Sequence, residues 1–366
     1  MQPYIFPYIG YFQLLHYVDN FVIFDDVNFI KRGWINRNRI LINGAPHLFT
    51  IPLENASSNH LIKDIKWMDF ERESRGRESL TKLDSQKFKS NIHMLGENAS
   101  SLIYACSLSD FSYIDINKYD IISVLGNSMG WYTSLVLSGA ISKKNGFHLI
   151  EKMGSMMKKE IIGGQLIYPI INKNWEIDNK LYDFVLSEVK RLGLHISIKL
   201  GGYLVIGGKR NKLESLSKVL PVNEKYPFII PYHAAFHTPL LNTISKQAKQ
   251  SIDSSIFNRP SIPLIDGTGK IWSPYSTEIS SLMDYTLGRQ VLNTFDFTSS
   301  VTVAIKEFCP DKVILLGPGN SLGGPIGQIL IENNWLGIKS KNDFSDLQRE
   351  SPFLISLGIP EQRNLL

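Results

Sequence analysis

Tyr119-Asp-Ile-Ile-Ser-Val-Leu-Gly126-Asn127-Ser128-Met129-Gly130-Trp131-Tyr132 is the stretch from which the fold is read. Its apolar run, Ile121 to Leu125, has the composition of a buried strand, and the segment after it, Trp131 to Ile141, that of a helix. Between them stands Gly-x-Ser-x-Gly. A strand that turns straight into a helix through this pattern is a nucleophile elbow: the glycines stand where a Cβ would collide, and the turn lifts the Ser128 hydroxyl clear of the backbone. The hydroxyl then lies over a helix N-terminus, whose free N–H groups favour a developing negative charge. Small residues also make ordinary turns, so the rest of the chain must supply a base.

The bulk properties set the frame. A chain of 366 residues can bury a large core and form two or three domains. Hydrophobic content of 43%, charged content of 20% and 27 glycines describe a globular protein, neither disordered nor fibrous. The formal charge of +5 is small for this length, and the basic cluster Lys31, Arg32, Arg37 and Arg39 is broken by apolar residues. Nucleic-acid binding is not expected; anionic small molecules such as CoA or sugar phosphates fit the mild basicity. Cys106 and Cys309 lie far apart in apolar contexts, which suits buried thiols in a reducing compartment and no metal site. The aromatic N-terminus is interrupted by Gln2, Pro3, Pro7, Gly10, Gln13 and His16. It has no basic leader and no run of about 18 apolar residues, so neither export nor membrane insertion is expected and the location is cytoplasmic.

Upstream of the elbow the chain changes style. Gln2-Pro-Tyr, Pro7-Tyr-Ile-Gly-Tyr-Phe, Asp25-Asp26-Val and Gly33-Trp-Ile-Asn-Arg-Asn-Arg39 surround two strand-like runs, Phe21-Val-Ile-Phe24 and His47-Leu-Phe-Thr-Ile-Pro52. These are clustered aromatics with carboxylate, amide and guanidinium groups, either loops satisfied by polar side chains or a site for a planar or anionic ligand. The pattern resembles the start of the WbqC-like family, which is associated with surface-polysaccharide gene clusters. The resemblance covers residues 1–67. Residues 68–97 are charged and polar (Asp69, Glu71, Arg72, Glu73, Arg75, Arg77, Glu78) and read as an exposed linker or helical stretch. A buried helix is expected from Asn98 up to the elbow strand.

Downstream, Asn145 to Lys158 is amphipathic. Gln165 to Ile171, Lys180 to Leu192, His195 to Leu200, Tyr203 to Ile206, Lys212 to Leu220 and Tyr226 to Ile230 alternate as βαββαβ, the ferredoxin-like unit, here an insertion at about 165–230. Pro231-Tyr-His233-Ala-Ala-Phe236-His237-Thr-Pro follows it. Strands are expected at Ile262-Pro-Leu-Ile-Asp266 and Lys312-Val-Ile-Leu-Leu, with an amphipathic segment Asp296 to Phe308 between them. The turn Gly317-Pro-Gly319 departs from dinucleotide spacing at Leu322, which weighs against a nucleotide site.

Ser128 needs a base within hydrogen-bond reach, and the base needs an orienting acceptor. Of the eight histidines, His237 and His233 stand in a loop after a strand. No acidic residue sits at a strand end between Ser128 and His237: Asp178 and Asp183 fall in or beside a helical pattern. A Ser–His dyad fits better than a triad, with His237 Nδ1 held by a main-chain carbonyl.

Taken together, residues 71–366 resemble the malonyl-CoA:acyl-carrier-protein transacylase family, the acyltransferase fold of fatty-acid and polyketide synthesis. Four anchors fall in the family's order: Gly126-Asn-Ser128-Met-Gly130 with Leu137-Ser-Gly-Ala-Ile-Ser142; the ferredoxin-like insert; Ala235-Phe236-His237-Thr-Pro-Leu; and Gln290 with Gly317-Pro-Gly319. The resemblance implies that Ser128 carries the acyl group, His237 is its base, the Gln290 main-chain carbonyl orients His237, and the Met129 N–H binds the oxyanion. Acyl-CoA and acyl-carrier-protein phosphopantetheine would be substrates, with no tightly bound cofactor.

Three departures bear on function. The family's malonyl-binding Arg corresponds, counting without gaps from Ser128 to Gly154, to Met153, which cannot form a guanidinium clamp on a carboxylate. A neutral acyl group is therefore expected, in a pocket kept short by Phe236. Asn127 and Trp131 replace the family's His and Glu beside the nucleophile, and Trp131 is expected to alter the pocket entrance. Finally, no first strand with its Gly-x-Gly oxyanion loop precedes residue 71; Phe21 to Phe24 is the candidate replacement, and without one the sheet has a gap or open edge and activity is impaired. The expected architecture is an α/β acyltransferase-like domain, 98–366, after a partial WbqC-like segment. The expected reaction is acyl transfer. The alternatives are a serine hydrolase or thioesterase with the same dyad, and an impaired fusion acting in surface-polysaccharide biosynthesis.

Overall fold

The computed structural model describes residues 87–156 and 161–366 without interruption. Before residue 87 it describes 26–30, 35, 37–42, 45–50, 53–54, 58–59, 61–62, 66–67, 80 and 83. The expected strand Phe21 to Phe24 lies outside these residues, as does most of the charged stretch from 68 to 86.

The N-terminal segment builds its own small apolar nucleus. Strands β1 (Arg37–Ile42) and β2 (Ala45–Thr50) form an antiparallel hairpin with Arg37 opposite Thr50. The short β3 (Leu53–Glu54) and β4 (Lys66–Trp67) form a separate antiparallel pair. Phe29, Ile35, Leu53 and Ile62 pack with Val27 as a cluster separate from the main core. Within the stretch expected to be an exposed linker or helix, Leu80 and Leu83 are buried in the main core, while Lys87, Phe88 and Lys89 are exposed.

That core is built around the elbow. Helix α1 (Gly96–Phe111) leads to β5 (Val124–Leu125), shorter than the run from Ile121 suggested, and then to the elbow helix α2 (Gly130–Leu137). Residues 131–136 are all buried, Thr133 and Ser134 included, so α2 is covered on every side and runs through the interior. Helix α3 (Lys143–Met156) crosses it closely at Gly146, where a Cβ would stand 2.2 Å from Val136 Cγ2.

The ferredoxin-like insert is present with its expected topology. Strand β6 (Gly164–Pro169), helix α4 (Asn179–Arg191), β7 (His195–Leu200), β8 (Tyr203–Gly208), helix α5 (Arg210–Val219) and β9 (Phe228–Ile230) give the spatial order β7-β8-β6-β9, antiparallel throughout. Asp178 caps α4, accepting from the Leu181 N–H at 3.1 Å, which explains an acid beside a helical pattern. One sheet face packs Leu166, Tyr168, Leu204 and Ile206 against Val185, Val189, Leu213 and Leu216 of the two helices. The other face gives Ile198, Leu200 and Val205 to the main core.

Past the insert, β10 (Leu264–Ile265) pairs in parallel with β5, Leu264 opposite Val124, and β11 (Ile271–Trp272) pairs with β10 antiparallel. Strand β12 (Phe295–Asp296) adds in parallel to the β7 edge of the insert and so ties it to the main body. Asp296 then caps helix α6 (Phe297–Phe308) by accepting from the Ser299 N–H at 2.9 Å. Strand β13 (Val313–Leu315) leads to helix α7 (Gly323–Glu332) and pairs in parallel with β14 (Leu354–Ser356), a strand too short to read from the sequence.

Among the described residues, β5 has no partner on its other side, and β13–β14 stand as a separate pair. Cys309 corrects another expectation. It is exposed, with φ of +47°, at the C-terminal end of α6, because the helix must reverse there. Among the described residues no helix is long and apolar enough to cross a membrane.

Candidate active site

Ser128 occupies the left-handed region, with φ of +54°. Such a conformation costs a non-glycine residue roughly 1–3 kcal/mol and survives only where its surroundings determine it. Here the Gly130 N–H donates to Asn127 O at 2.8 Å and the Trp131 N–H to Ser128 O at 3.1 Å, locking the turn from both sides. The two glycines of the motif are unequal. A Cβ on Gly126 would stand 2.2 Å from Gly130 O and 2.7 Å from Ser134 Oγ, whereas one on Gly130 would meet nothing within 4 Å. Only the first glycine is sterically required, which corrects the reading that both avoid a collision.

His237 also has a positive φ, +58°, and is 2% exposed. Its loop is anchored by the Ala235 N–H donating to Ile162 O at 2.8 Å and by Thr238 Oγ1 donating to Ala235 O at 2.7 Å. His237 Nδ1 lies 2.5 Å from Gln290 O. A carbonyl only accepts, so Nδ1 carries the hydrogen and Nε2 is bare. Ser128 Oγ, 2.7 Å from that Nε2, donates to it. Burial holds the imidazole well below the usual histidine range, down to about 4, and the Gln290 carbonyl opposes this only in part. At neutral pH the ring is an unprotonated base aimed at a hydroxyl.

Gln290 owes its place to a π-helical turn, Tyr285–Arg289, that runs into the short helix Gln290–Leu292. A carbonyl in the last turn of a helix has no partner within it, which leaves Gln290 O free for His237. Its side chain is engaged as well. Gln290 Nε2 donates to Ser128 O at 3.0 Å, and Tyr132 Oη donates to Gln290 Oε1 at 3.2 Å. The family resemblance supplied the carbonyl; nothing in the sequence signalled the amide.

The remaining expected residues fall as follows. The Met129 N–H has no acceptor among the described residues and stands at the start of α2. Asn127 Oδ1 is buried without a hydrogen-bond partner. Phe236 is half-buried with its ring 6.5 Å from that of His237. Phe295, which sequence reasoning missed, is closer, at 5.3 Å. Trp131 is wholly buried: its indole N–H donates to Thr286 Oγ1 at 3.1 Å and its ring meets Tyr285 edge-on. These are the contacts of a core residue. Met153 is buried on α3 in the main core, and no Lys or Arg is among the described buried residues. His233, the competing base, turns toward the insert, its Nδ1 2.9 Å from Gln165 Oε1.

A Ser on a strained strand-to-helix turn, a buried His held by a carbonyl and a ferredoxin-like insert between them belong to one acyltransferase-like α/β fold. Comparison with known proteins places it further. The chain has the fold of malonyl-CoA:acyl-carrier-protein transacylases: that of Synechocystis sp. PCC 6803 superposes with a TM-score of 0.61 at 14% identity, over 79% of this chain and 86% of that one. A type II polyketide-synthase acyl-carrier protein in complex with its malonyl-transacylase matches with a TM-score of 0.59 at 17% identity, over 78% and 85%. The malonyl CoA-acyl carrier protein transacylase of Bacillus subtilis (strain 168) is 23% identical over 206 residues, 56% of this chain and 63% of its own length. Residues 2–154 match the WbqC-like protein family, a span that includes the N-terminal segment and continues through the elbow.

Proposed function

We propose that this protein is an acyltransferase that moves an acyl group from a CoA thioester, through an ester on Ser128, to the phosphopantetheine thiol of an acyl-carrier protein. The observation that carries this reading is the dyad itself: Ser128 Oγ donating to His237 Nε2 at 2.7 Å, with Nδ1 fixed on Gln290 O. In the first half-reaction Oγ attacks the thioester carbonyl while Nε2 takes the hydroxyl proton. The tetrahedral oxyanion accepts from the Met129 N–H. On collapse the C–S bond breaks and His237 returns its proton to the leaving thiol. The second half-reaction runs the same steps in reverse, with the carrier thiol attacking the acyl-serine and giving its proton to Nε2.

The acyl group is neutral in this reading. A free carboxylate buried beside Ser128 would need a cation, and Met153 stands where the family's guanidinium is expected. The lack of any described buried Lys or Arg supports this. The donor's phosphates suit a cleft of about 620 Å³ beside the His237 loop, bordered by Ile161, Lys209, Arg210, Pro231, Tyr232 and His233. Lys209 at its rim, with Arg210 already paired to Glu214 at 3.6 Å, favours an anionic group over a neutral one.

The test is a competition between acetyl-CoA and malonyl-CoA, scored as acyl group delivered to a phosphopantetheinylated carrier protein and as free acid released. Acetyl transfer exceeding hydrolysis is the expected result. Free acid as the dominant product would identify a thioesterase, and dominant malonyl transfer would contradict the argument from Met153.

A further inference from the structure

The base does not hold its own conformation. With φ at +58°, the His237 ring is placed by the peptide plane that precedes it, and that plane is fixed through the Phe236 carbonyl. The carbonyl accepts from Ser197 Oγ at 2.8 Å. Ser197 belongs to the insert, not to the loop, and is wholly buried. Its hydroxyl is 2.7 Å from Gln165 Nε2, and Gln165 Oε1 is 2.9 Å from His233 Nδ1.

The direction of this chain of bonds follows from its end. The carbonyl can only accept, so the Ser197 hydroxyl must donate to it and must accept from the Gln165 amide. Gln165 Oε1 is then left to accept from an Nδ1–H on His233. Every hydrogen in the series is assigned, and protonating His233 at its far nitrogen leaves the series intact.

A second, independent feature points to the same residue. The β7–β8 register shifts between Ile196, opposite Ile206, and Ile198, opposite Val205, so Ser197 is the extra residue of a β-bulge. In a regular strand Ile196 and Ile198 would share a face. Here Ile196 packs with the helices of the insert and Ile198 with the main core. The bulge aims the Ser197 side chain out of the alternation and onto the His237 loop, a use of bulges that recurs beside active sites.

We infer that Ser197 and Gln165 are positioning residues for His237: the insert holds the base in its left-handed conformation through the Ser197–Phe236 carbonyl bond. The inference rests on the Ser128–His237 dyad of the proposed function but not on the identity of the acyl donor. Without the bond, φ of His237 relaxes toward negative values and the ring leaves both Ser128 and its buried site. Its described ring neighbours, Ser128, Gln290, Phe236 and Phe295, carry no charge, so solvent exposure alone sets the direction in which its proton affinity would then move: upward.

The experiment is the rate of Ser128 phosphonylation by a fluorophosphonate, which needs an activated serine but no particular acyl group. It is followed against pH in the full-length chain and in Ser197→Ala and Gln165→Leu. Ser197→Ala is expected to react about tenfold more slowly, the factor that one lost hydrogen bond supplies. Its acid limb moves up from near 4 toward the ordinary histidine value. Gln165→Leu, which keeps the hydroxyl but removes its orienting partner, shows a smaller change in the same sense. Wild-type rates and midpoints in both variants would overturn the inference. Slower labelling at an unchanged midpoint would also overturn it, assigning the bonds to stability alone. A wild-type chain that is not labelled at all would contradict the dyad and remove the proposed function with it.

Discussion

The side-chain amide of Gln290 donates to the main-chain carbonyl of Ser128 at 3.0 Å, while the main-chain carbonyl of Gln290 receives the His237 Nδ1 proton. One residue therefore holds the nucleophile with its side chain and the base with its backbone. The strained turn at Ser128 and the strained loop at His237 come from opposite sides of the insert, and Gln290 sets the distance between them.

Gln290→Leu separates these two roles, because the backbone carbonyl survives. Acylation of Ser128 should slow about tenfold as the elbow loses one anchor. The Tyr132 hydroxyl, buried and left without its acceptor, should lower stability by about 1–3 kcal/mol. Adding Tyr132→Phe should restore much of the stability and none of the rate. Thermal denaturation and single-turnover acylation on the two variants, beside the wild-type chain, check this.

The elbow glycines should respond unequally. Gly126→Ala forces a Cβ to 2.2 Å from a backbone oxygen and should cost about 3 kcal/mol or more, enough to lose the folded chain or the elbow. Gly130→Ala enters open space at the first position of a helix and should change stability by no more than about 1 kcal/mol, in the stabilising direction. Denaturant unfolding of both variants separates them.

Acid should act through His237. Its ring is held neutral down to about 4 in the folded chain, against 6.5 for an ordinary histidine. Acylation that needs a bare Nε2 should hold its neutral-pH rate down to about pH 5 and fall to half near the folded value. The effect on stability begins at a higher pH. Between 6.5 and about 4 the unfolded chain binds a proton that the folded chain refuses, so stability falls as pH drops through that window and is unaffected by this group above it. Activity and denaturation midpoints measured over the same buffers should diverge in that range.

These sites differ in how far the sequence announced them. Ser128 and His237 were legible because each sits in a short motif with its own local geometry, whereas the Gln290 carbonyl came with the family resemblance. The insert was legible because its six elements alternate cleanly between helical and strand periods, and Asp178 and Asp296 mark helix starts as capping residues should. What stayed hidden depends on tertiary approach. The Gln290 amide reaches Ser128 across 162 positions, and the bulge at Ser197 breaks an alternation that the sequence shows as regular. Strand β14 is three residues long and needs β13 to define it. Trp131 looked like a pocket residue because it follows Ser128 by three positions, but a helix buried on every side carries that position into the core.

The central claim, a covalent acyl-enzyme on Ser128, is tested most directly by the intact mass of the protein after brief mixing with acetyl-CoA, beside Ser128→Ala. One acetyl group on the wild-type chain, absent from the variant, is the predicted result. An unmodified wild-type chain that is folded, or an adduct that persists in Ser128→Ala, would contradict it.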